Sequence, residues 1–219
     1  MSQEGELLQA ADLHVKKHFL DYIPHKKQLQ FHTTGGKAKE RLFLAGNRTG
    51  KTYCGIIEVA MHLTGYYPKW WQGKCFNRAI KAWAASVTSA LTAEVLERGY
   101  LDVIAEDLIL RHDSLRNSYL IKHQSGSVSE LTFKSYEQGR KKFQAAKLDV
   151  IHLDEEPDRD IYVECLMRLL STQADEEGAL LLTMTPLLGL TDLVMDFQET
   201  EVRTEIKNAQ GTIQEVKEQ

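Results

Sequence analysis

Two short words in the sequence bring together residue types that handle phosphate. The first is LFLAGNRTGKTYCG, residues 42–55, where an apolar run enters a basic-polar loop and leaves through Gly50-Lys51-Thr52 into a helical pattern. A phosphate cradle needs that order: a strand, a loop whose N–H groups face oxygen, and a helix N-terminus that favours anions. Gly46, Asn47, Arg48, Thr49, Gly50, Lys51 and Thr52 are therefore the candidate nucleotide-binding residues. Lys51 is assigned to the β- and γ-phosphates and the Thr52 hydroxyl to Mg²⁺. The pattern G-x-x-x-x-G-K-[ST] asks for glycine at 45, whereas this chain has Ala45 followed by Gly46. The loop thus needs Ala45 in a conformation that an L-residue tolerates. Arg48 adds a cation that holds triphosphate, meets a neighbouring element or points to solvent. Taken alone, G-K-T also fits an incidental helix start.

The second word is VIHLDEE, residues 150–156, an apolar run ending in three acids. A phosphate loop becomes an enzyme when a second strand presents an aspartate to Mg²⁺ and a carboxylate activates the attacking water. Asp154 fits the metal shell and Glu155 the general base, with Glu156 as the competitor for the base. The plain alternative is an acidic strand-to-helix turn with Asp158 capping the next helix. Both words in one chain imply an NTPase core that takes ATP and Mg²⁺. A third word, LLLTMTP, ends a buried run with Thr183 and Thr185. Hydroxyls at that sheet edge can sense the γ-phosphate and pass its loss on, although threonine also closes strands for its β-propensity alone.

These residues need a scaffold that places loop and acids at one edge. RLFLAG (41–46), IKAWAASV (80–87), LDVIHLDEE (148–156) and GALLLTMTP (178–186) read as buried strands, and SVSELTFKSY (127–136) alternates like one. Helical patterns cover 6–20, 25–34, 51–65, the stretch TAEVLERGYLDVIAE and 159–172, with Gly65 closing the third. Apolar strands alternating with helices predict an α/β fold, a mainly parallel sheet flanked by helices. The expected organisation is an N-terminal helical segment at 1–36, a P-loop core at 37–191 and a polar lid or linker at 192–219.

The 219 residues, 42% hydrophobic and 26% charged, are those of a globular chain, and no apolar run approaches the roughly 20 residues that span a bilayer. The N-terminus has no signal pattern, so the cytosol is the default. Cys54, Cys75 and Cys165 are odd in number and lack C-x-x-C spacing, which argues against a disulfide framework or a zinc site. The net charge of −4 gives no whole-chain signal for nucleic acid. Basic runs at 14–18, 25–27 and 140–142 are local phosphate-binding candidates, and such runs also serve as solvated faces.

The words AGNRTGKT, LTGYYPKWWQGKCF, SYEQGRKKFQ, VIHLDEEPD and TMTPLLGLT span residues 45–191 in an order that resembles the ATPase domain of the large subunit of tailed-phage terminases. The resemblance implies an additional-strand P-loop ATPase that assembles as a homo-oligomeric ring on the viral portal protein. It would drive double-stranded DNA into the capsid, with the small terminase subunit as a further partner, in the host cytoplasm. On this chain it assigns Lys51 and Thr52 to phosphate and Mg²⁺, Asp154 and Glu155 to metal shell and base, and Thr183 to Thr185 to coupling. PHKKQLQF resembles the family's adenine-recognition segment, with Gln28 as the candidate and Gln30 as its alternative. A ring motor takes a cation across each subunit interface. Arg140 is the first candidate for it, with Arg48 and Arg203 behind, and a solvated loop arginine is the plain alternative. Of the adjacent tryptophans in YYPKWW, core packing is expected. Ala145-Ala146 stand where the resemblance leads one to expect glycine. The family's nuclease domain has no room in 219 residues, so no nuclease activity is expected of this chain. Two rivals share the motifs: a helicase-like or DNA-repair ATPase, and an ATP-dependent assembly switch that scarcely hydrolyses.

Overall fold

The five expected strands lie side by side and parallel, and a hairpin extends one edge. The computed structural model describes residues 21–144, 146–170, 178–186, 189 and 191–197. The helix expected at 6–20, Arg203 and the tail at 199–219 lie outside the described residues. The chain divides at Thr185 into two compact units, the second of which carries a helix at 192–197.

In chain order the first unit contains α1 (Lys26–Thr34), β1 (Glu40–Leu44), α2 (Lys51–Thr64) and β2 (Lys81–Ser86). The helical stretch α3 follows at 89–103, with a π-helical middle at Thr92–Glu97. Then come β3 (Ile109–Asp113), β4 (Ser118–Lys122), β5 (Val128–Ser135), β6 (Val150–Asp154), α4 (Arg159–Leu169) and β7 (Ala179–Met184). The seven strands order as β1-β7-β6-β2-β5-β4-β3. From β1 to β5 all pairings are parallel, while β4 and β3 join antiparallel. Strand β7 therefore separates the strand that enters the loop from the strand that carries the acids, the additional-strand arrangement of a P-loop NTPase.

The β3–β4 hairpin is an element that the apolar pattern does not announce. Its strands, ILRHD and SYLIK, are short and mixed in polarity, and Asn117 turns between them at φ 50°. Strand β1 also differs from expectation. It lies at the sheet edge and is only half-buried, alternating exposed and covered positions.

Helix α2 is central. Twelve of its fourteen residues are buried, because it is wedged between the sheet, α1 and α3. Gly50 in the left-handed region (φ 78°) starts it and Gly65 (φ 78°) ends it. Close approach to the sheet occurs at Gly55: a Cβ there would stand 2.7 Å from His152 Cε1. On its other side Glu58 is fully buried and paired with Arg41 of β1 and with His32 of α1, whose Nδ1 lies 2.7 Å away. Tyr67, Trp70, Trp71 and Phe76 close over His32 and His62, so the tandem tryptophans pack inward on this cluster. The even-numbered residues of β6 and the odd-numbered ones of β7 face α2. Ile151, Leu153, Leu180 and Leu182 face the opposite layer, which holds α4 and a 3-10 turn at Arg140–Phe143. No helix among the described residues is long and apolar enough to cross a membrane.

Two predictions follow from this packing. Glycine to alanine inside a helix ordinarily stabilises by about 0.5–1 kcal/mol. At Gly55 the new methyl must displace a fully buried ring, so Gly55→Ala is expected to destabilise by about 1–3 kcal/mol in a denaturant titration. The second concerns pH. Burial pushes the Glu58 carboxyl upward, but Arg41, His32 and His62 outweigh it and hold it well below the usual carboxylate range. Burial holds His62 and His123 below the ordinary imidazole range, and His62 faces Glu58, Tyr67, Arg41 and His32. As pH falls through about 6.5 the unfolded imidazoles take up protons that the folded ones refuse, so stability falls with pH. The melting temperature should decline steadily from about pH 7.5 to about pH 5, and a flat profile would contradict it.

Candidate active site

The loop after β1 begins without strain at the unusual position. Ala45 has an ordinary L-residue backbone, and its N–H bonds to Met184 O at 3.2 Å. Left-handed geometry falls instead on Arg48 (φ 60°) and Gly50. Thr49 Oγ1 donates to Gly46 O at 2.9 Å, which tightens the turn. Gly46, Asn47, Arg48 and Thr49 are exposed around the loop, and Lys51 is buried at the first position of α2. The loop N–H groups and the first turn of α2 thus meet at one edge, the arrangement that holds a phosphate chain.

The parallel register brings the acids to the same edge. Asp154 is the last residue of β6 and pairs with Thr183 of β7. Its Oδ1 accepts from Thr52 Oγ1 at 2.7 Å and from Thr183 Oγ1 at 2.8 Å. Burial raises the Asp154 carboxyl above its usual range, and the two hydroxyls and Lys51 pull it back. Glu155 takes a left-handed backbone (φ 62°), its N–H donating to Thr183 O at 2.8 Å. This turn aims its carboxylate at Lys51, with Nζ 3.4 Å from Oε1. Thr185 binds the same carboxylate, through its N–H at 2.8 Å and its hydroxyl at 3.1 Å. Asn47 Oδ1 lies 3.0 Å from that hydroxyl as a second acceptor for its single proton, which brings the loop to the end of β7. Each threonine of the T-x-T pair therefore holds one acid. The residue that Lys51 and Thr185 engage is Glu155, not Glu156.

Tyr136 supports the acids from beneath. Its hydroxyl lies 3.3, 3.1 and 2.9 Å from the carbonyls of Ala85, Asp154 and Glu155. Behind Asp154, His152 is fully buried, with Nε2 2.8 Å from Thr183 Oγ1 and Nδ1 3.0 Å from the Tyr100 hydroxyl. Burial lowers the His152 imidazole to about 4. Motif reading missed Tyr100, Tyr136 and His152, since nothing in their spacing marks them. The one available signal was a histidine in the middle of an otherwise apolar strand.

Gln28 is buried, and its amide is engaged within the protein. Oε1 accepts from His25 N at 3.0 Å, closing a capping box at the start of α1, and Nε2 donates to Gly50 O at 3.1 Å. Gln30 is exposed on the same helix. Arg140 is half-exposed, and its Nε donates to Glu164 Oε2 of α4 at 3.0 Å, with Arg168 on the other oxygen of that carboxylate at 2.8 Å. The structure thus brings Lys51, Thr52, Asp154, Glu155, Thr183, Thr185 and Asn47 together, sets Gln28 beneath the loop, and engages Arg140 with α4.

A family model described as terminase large subunit, T4likevirus-type, N-terminal, matches residues 42–218. The terminase large subunit of Salmonella phage P22 is 32% identical over 228 aligned residues, covering 88% of this chain and 45% of that protein. The chain therefore spans less than half the length of that relative. Among solved structures, the large terminase ATPase domain of Thermus phage P74-26 superposes with a TM-score of 0.53 at 20% identity, over 76% of this chain and 66% of that one. The large terminase of bacteriophage HK97 gives a TM-score of 0.61 at 14% identity, over 84% of this chain and 38% of that one. That of the thermophilic bacteriophage D6E in complex with ADP gives 0.53 at 16%, over 83% and 49%. These likenesses show a shared P-loop NTPase fold, and with the match over residues 42–218 the chain belongs to the terminase large-subunit family.

Proposed function

We propose that this chain is the ATP-hydrolysing motor part of a terminase large subunit, powering translocation of double-stranded DNA into a procapsid. The observation that carries the reading is the Lys51–Glu155 contact of 3.4 Å beside the Thr52–Asp154 bond of 2.7 Å. Phosphate ligand, metal-shell oxygens and a base candidate stand at one sheet edge, where a P-loop ATPase needs them.

In this reading the N–H groups of residues 46–52 cradle the phosphates of ATP and Lys51 meets the β- and γ-oxygens. Two hard-oxygen groups, the Thr52 hydroxyl and the Asp154 carboxylate, suit Mg²⁺, which takes few protein ligands and completes its shell with water and phosphate. Once bound, Mg²⁺ neutralises charge on those phosphate oxygens. Glu155 orients and deprotonates the attacking water, and Thr185 fixes its carboxylate. Thr183 and Thr185 register loss of the γ-phosphate, because each is bonded to an acid. Gln28, through its spare N–H and lone pair, meets the adenine edge while bracing the loop. Arg140 serves a neighbouring subunit's nucleotide after leaving Glu164. Double-stranded DNA, the portal protein and the small terminase subunit are the partners, with a homo-oligomeric ring as the working assembly. A ring motor that borrows an arginine turns over slowly as a monomer.

Two experiments test this. ATP hydrolysis is measured against protein concentration, with and without duplex DNA. The rate per chain should climb with concentration, and Lys51→Ala and Glu155→Gln should lower it about 100-fold or more. A concentration-independent rate that Glu155→Gln leaves at the wild-type level would sink the assignment. In addition, Thr185→Val should lower kcat by roughly 10-fold with little change in KM, since it removes the hydroxyl donor that fixes the base and leaves the substrate contacts in place. Steady-state kinetics decides between that and a KM defect.

A further inference from the structure

Asp154 is one end of a buried chain of side chains that leaves the sheet and finishes on α3. Thr183 Oγ1 donates to Asp154 Oδ1 at 2.8 Å, His152 Nε2 is 2.8 Å from Thr183 Oγ1, and the Tyr100 hydroxyl is 3.0 Å from His152 Nδ1. Asp154 is 5% exposed, Tyr100 1%, and both Thr183 and His152 0%. The links join β6, β7 and α3, and the absent side chain of Gly55 on α2 leaves the space in which the imidazole sits.

Donor and acceptor counting gives this chain a single direction. An ionised carboxylate only accepts, so the Thr183 proton is committed to Asp154. Thr183 Oγ1 then offers only lone pairs to the ring, and Nε2 must carry a hydrogen. Among the described residues no carboxylate is hydrogen-bonded to the ring, and a fully buried, unpaired imidazolium is costly. The uncharged ring with hydrogen on Nε2 has Nδ1 as an acceptor, and the Tyr100 hydroxyl is the donor that meets it. Every hydrogen bond points toward Asp154.

We propose that His152 and Tyr100 are positioning residues for the acid pair: Tyr100 fixes the His152 tautomer, and His152 locks the Thr183 hydroxyl as a donor to Asp154. Held this way, Oδ1 is filled by Thr183 and Thr52, and the other carboxylate oxygen would be left to meet Mg²⁺ or a water of its shell. Without the lock, the Thr183 hydroxyl is free to turn to another acceptor, and Asp154 loses one of the two donors that set its rotamer. The kinetic consequence rests on the ATPase reading, whereas the hydrogen-bond direction does not.

The test uses the 219-residue chain with ¹⁵N-labelled histidine, and His152→Gln assigns the ring signal. Long-range ¹H–¹⁵N correlation should show a neutral Nε2–H ring in the wild type. In Thr183→Val the Nε2–H loses its acceptor, and the ring should shift to the Nδ1–H form, donating to Tyr100. Tyr100→Phe should lower kcat about fivefold and raise the Mg²⁺ concentration for half-maximal turnover by a similar factor, with KM for ATP unchanged. His152→Gln, which keeps an N–H for Thr183, should retain more activity than His152→Leu. An Nδ1–H or charged ring in the wild type would overturn the proposal. So would a Tyr100→Phe protein that melts lower yet keeps its kcat and Mg²⁺ dependence. If the wild type hydrolyses no ATP, the ATPase reading falls, and the tautomer still decides the direction of the chain.

Discussion

A carboxylate with almost no solvent access is the constraint around which this edge of the molecule is arranged. Asp154 is 5% exposed, and a buried charge must be met by donors or become prohibitively costly. Thr52 and Thr183 supply them, one from the first turn of α2 and one from β7. Neither threonine reaches Oδ1 unless α2, β6 and β7 hold their present register. Satisfying one carboxylate therefore fixes the loop, the acid strand and the strand between them. The intervening strand also sets the dimensions. Strands lie about 4.8 Å apart, so placing β7 between β1 and β6 sets those two strands roughly 10 Å apart, and the loop residues Lys51 and Thr52 reach back across to the acids.

The opposite side of α2 faces a similar problem with a different solution. Glu58 is fully buried in the most enclosed helix of the fold and is met by Arg41 and His32, with His62 Nε2 3.5 Å away. Buried ion pairs add little stability relative to an apolar replacement, but removing one partner costs about 3–5 kcal/mol. Arg41 belongs to the strand that enters the loop and Glu58 to the helix that leaves it. The pair thus sets the rotation of α2 about its axis relative to β1. A helix free to roll on an apolar surface would carry Lys51 and Thr52 away from the acids. Gln28 adds a third fixed point by tying α1 to the carbonyl of Gly50.

What was legible in the sequence follows from how local each signal is. The four apolar strand runs, the G-K-T turn, the acidic strand end and the paired threonines announce themselves over a few residues, and the structure brings the turn, the acids and the threonines to one edge. The β3–β4 hairpin stayed hidden because SYLIK and ILRHD are too short and mixed to show a period. Tyr136, His152 and Tyr100 were invisible for another reason: their partners sit on other strands and helices, and only the parallel register brings them into contact. Gln28 was visible as an amide in a suggestive segment, but its bonds to His25 and Gly50 depend on how α1 packs. The same holds for Arg140, whose partner Glu164 lies a strand and a helix away in the chain.

The adjacency of Asp154 and Glu155 poses a geometric problem that the backbone solves. Along a strand successive side chains point to opposite faces, so two neighbouring acids cannot both serve one phosphate while the strand continues. Here β6 ends at Asp154, and Glu155 turns into the left-handed region at φ 62°. For a residue with a Cβ that conformation costs about 1–2 kcal/mol. The cost is offset locally: Glu155 N–H is bonded to Thr183 O, its carbonyl accepts from Tyr136, and its carboxylate receives two donors from Thr185. Strained backbone held by that many partners is over-determined, which is the condition under which strain persists at a functional site. The turn swings the second carboxylate back to the side of Lys51. An acid pair in sequence thereby becomes an acid pair in space, one member held by Thr183 and the other by Thr185, and the spacing of those two threonines on one strand face is what lets a single strand hold both.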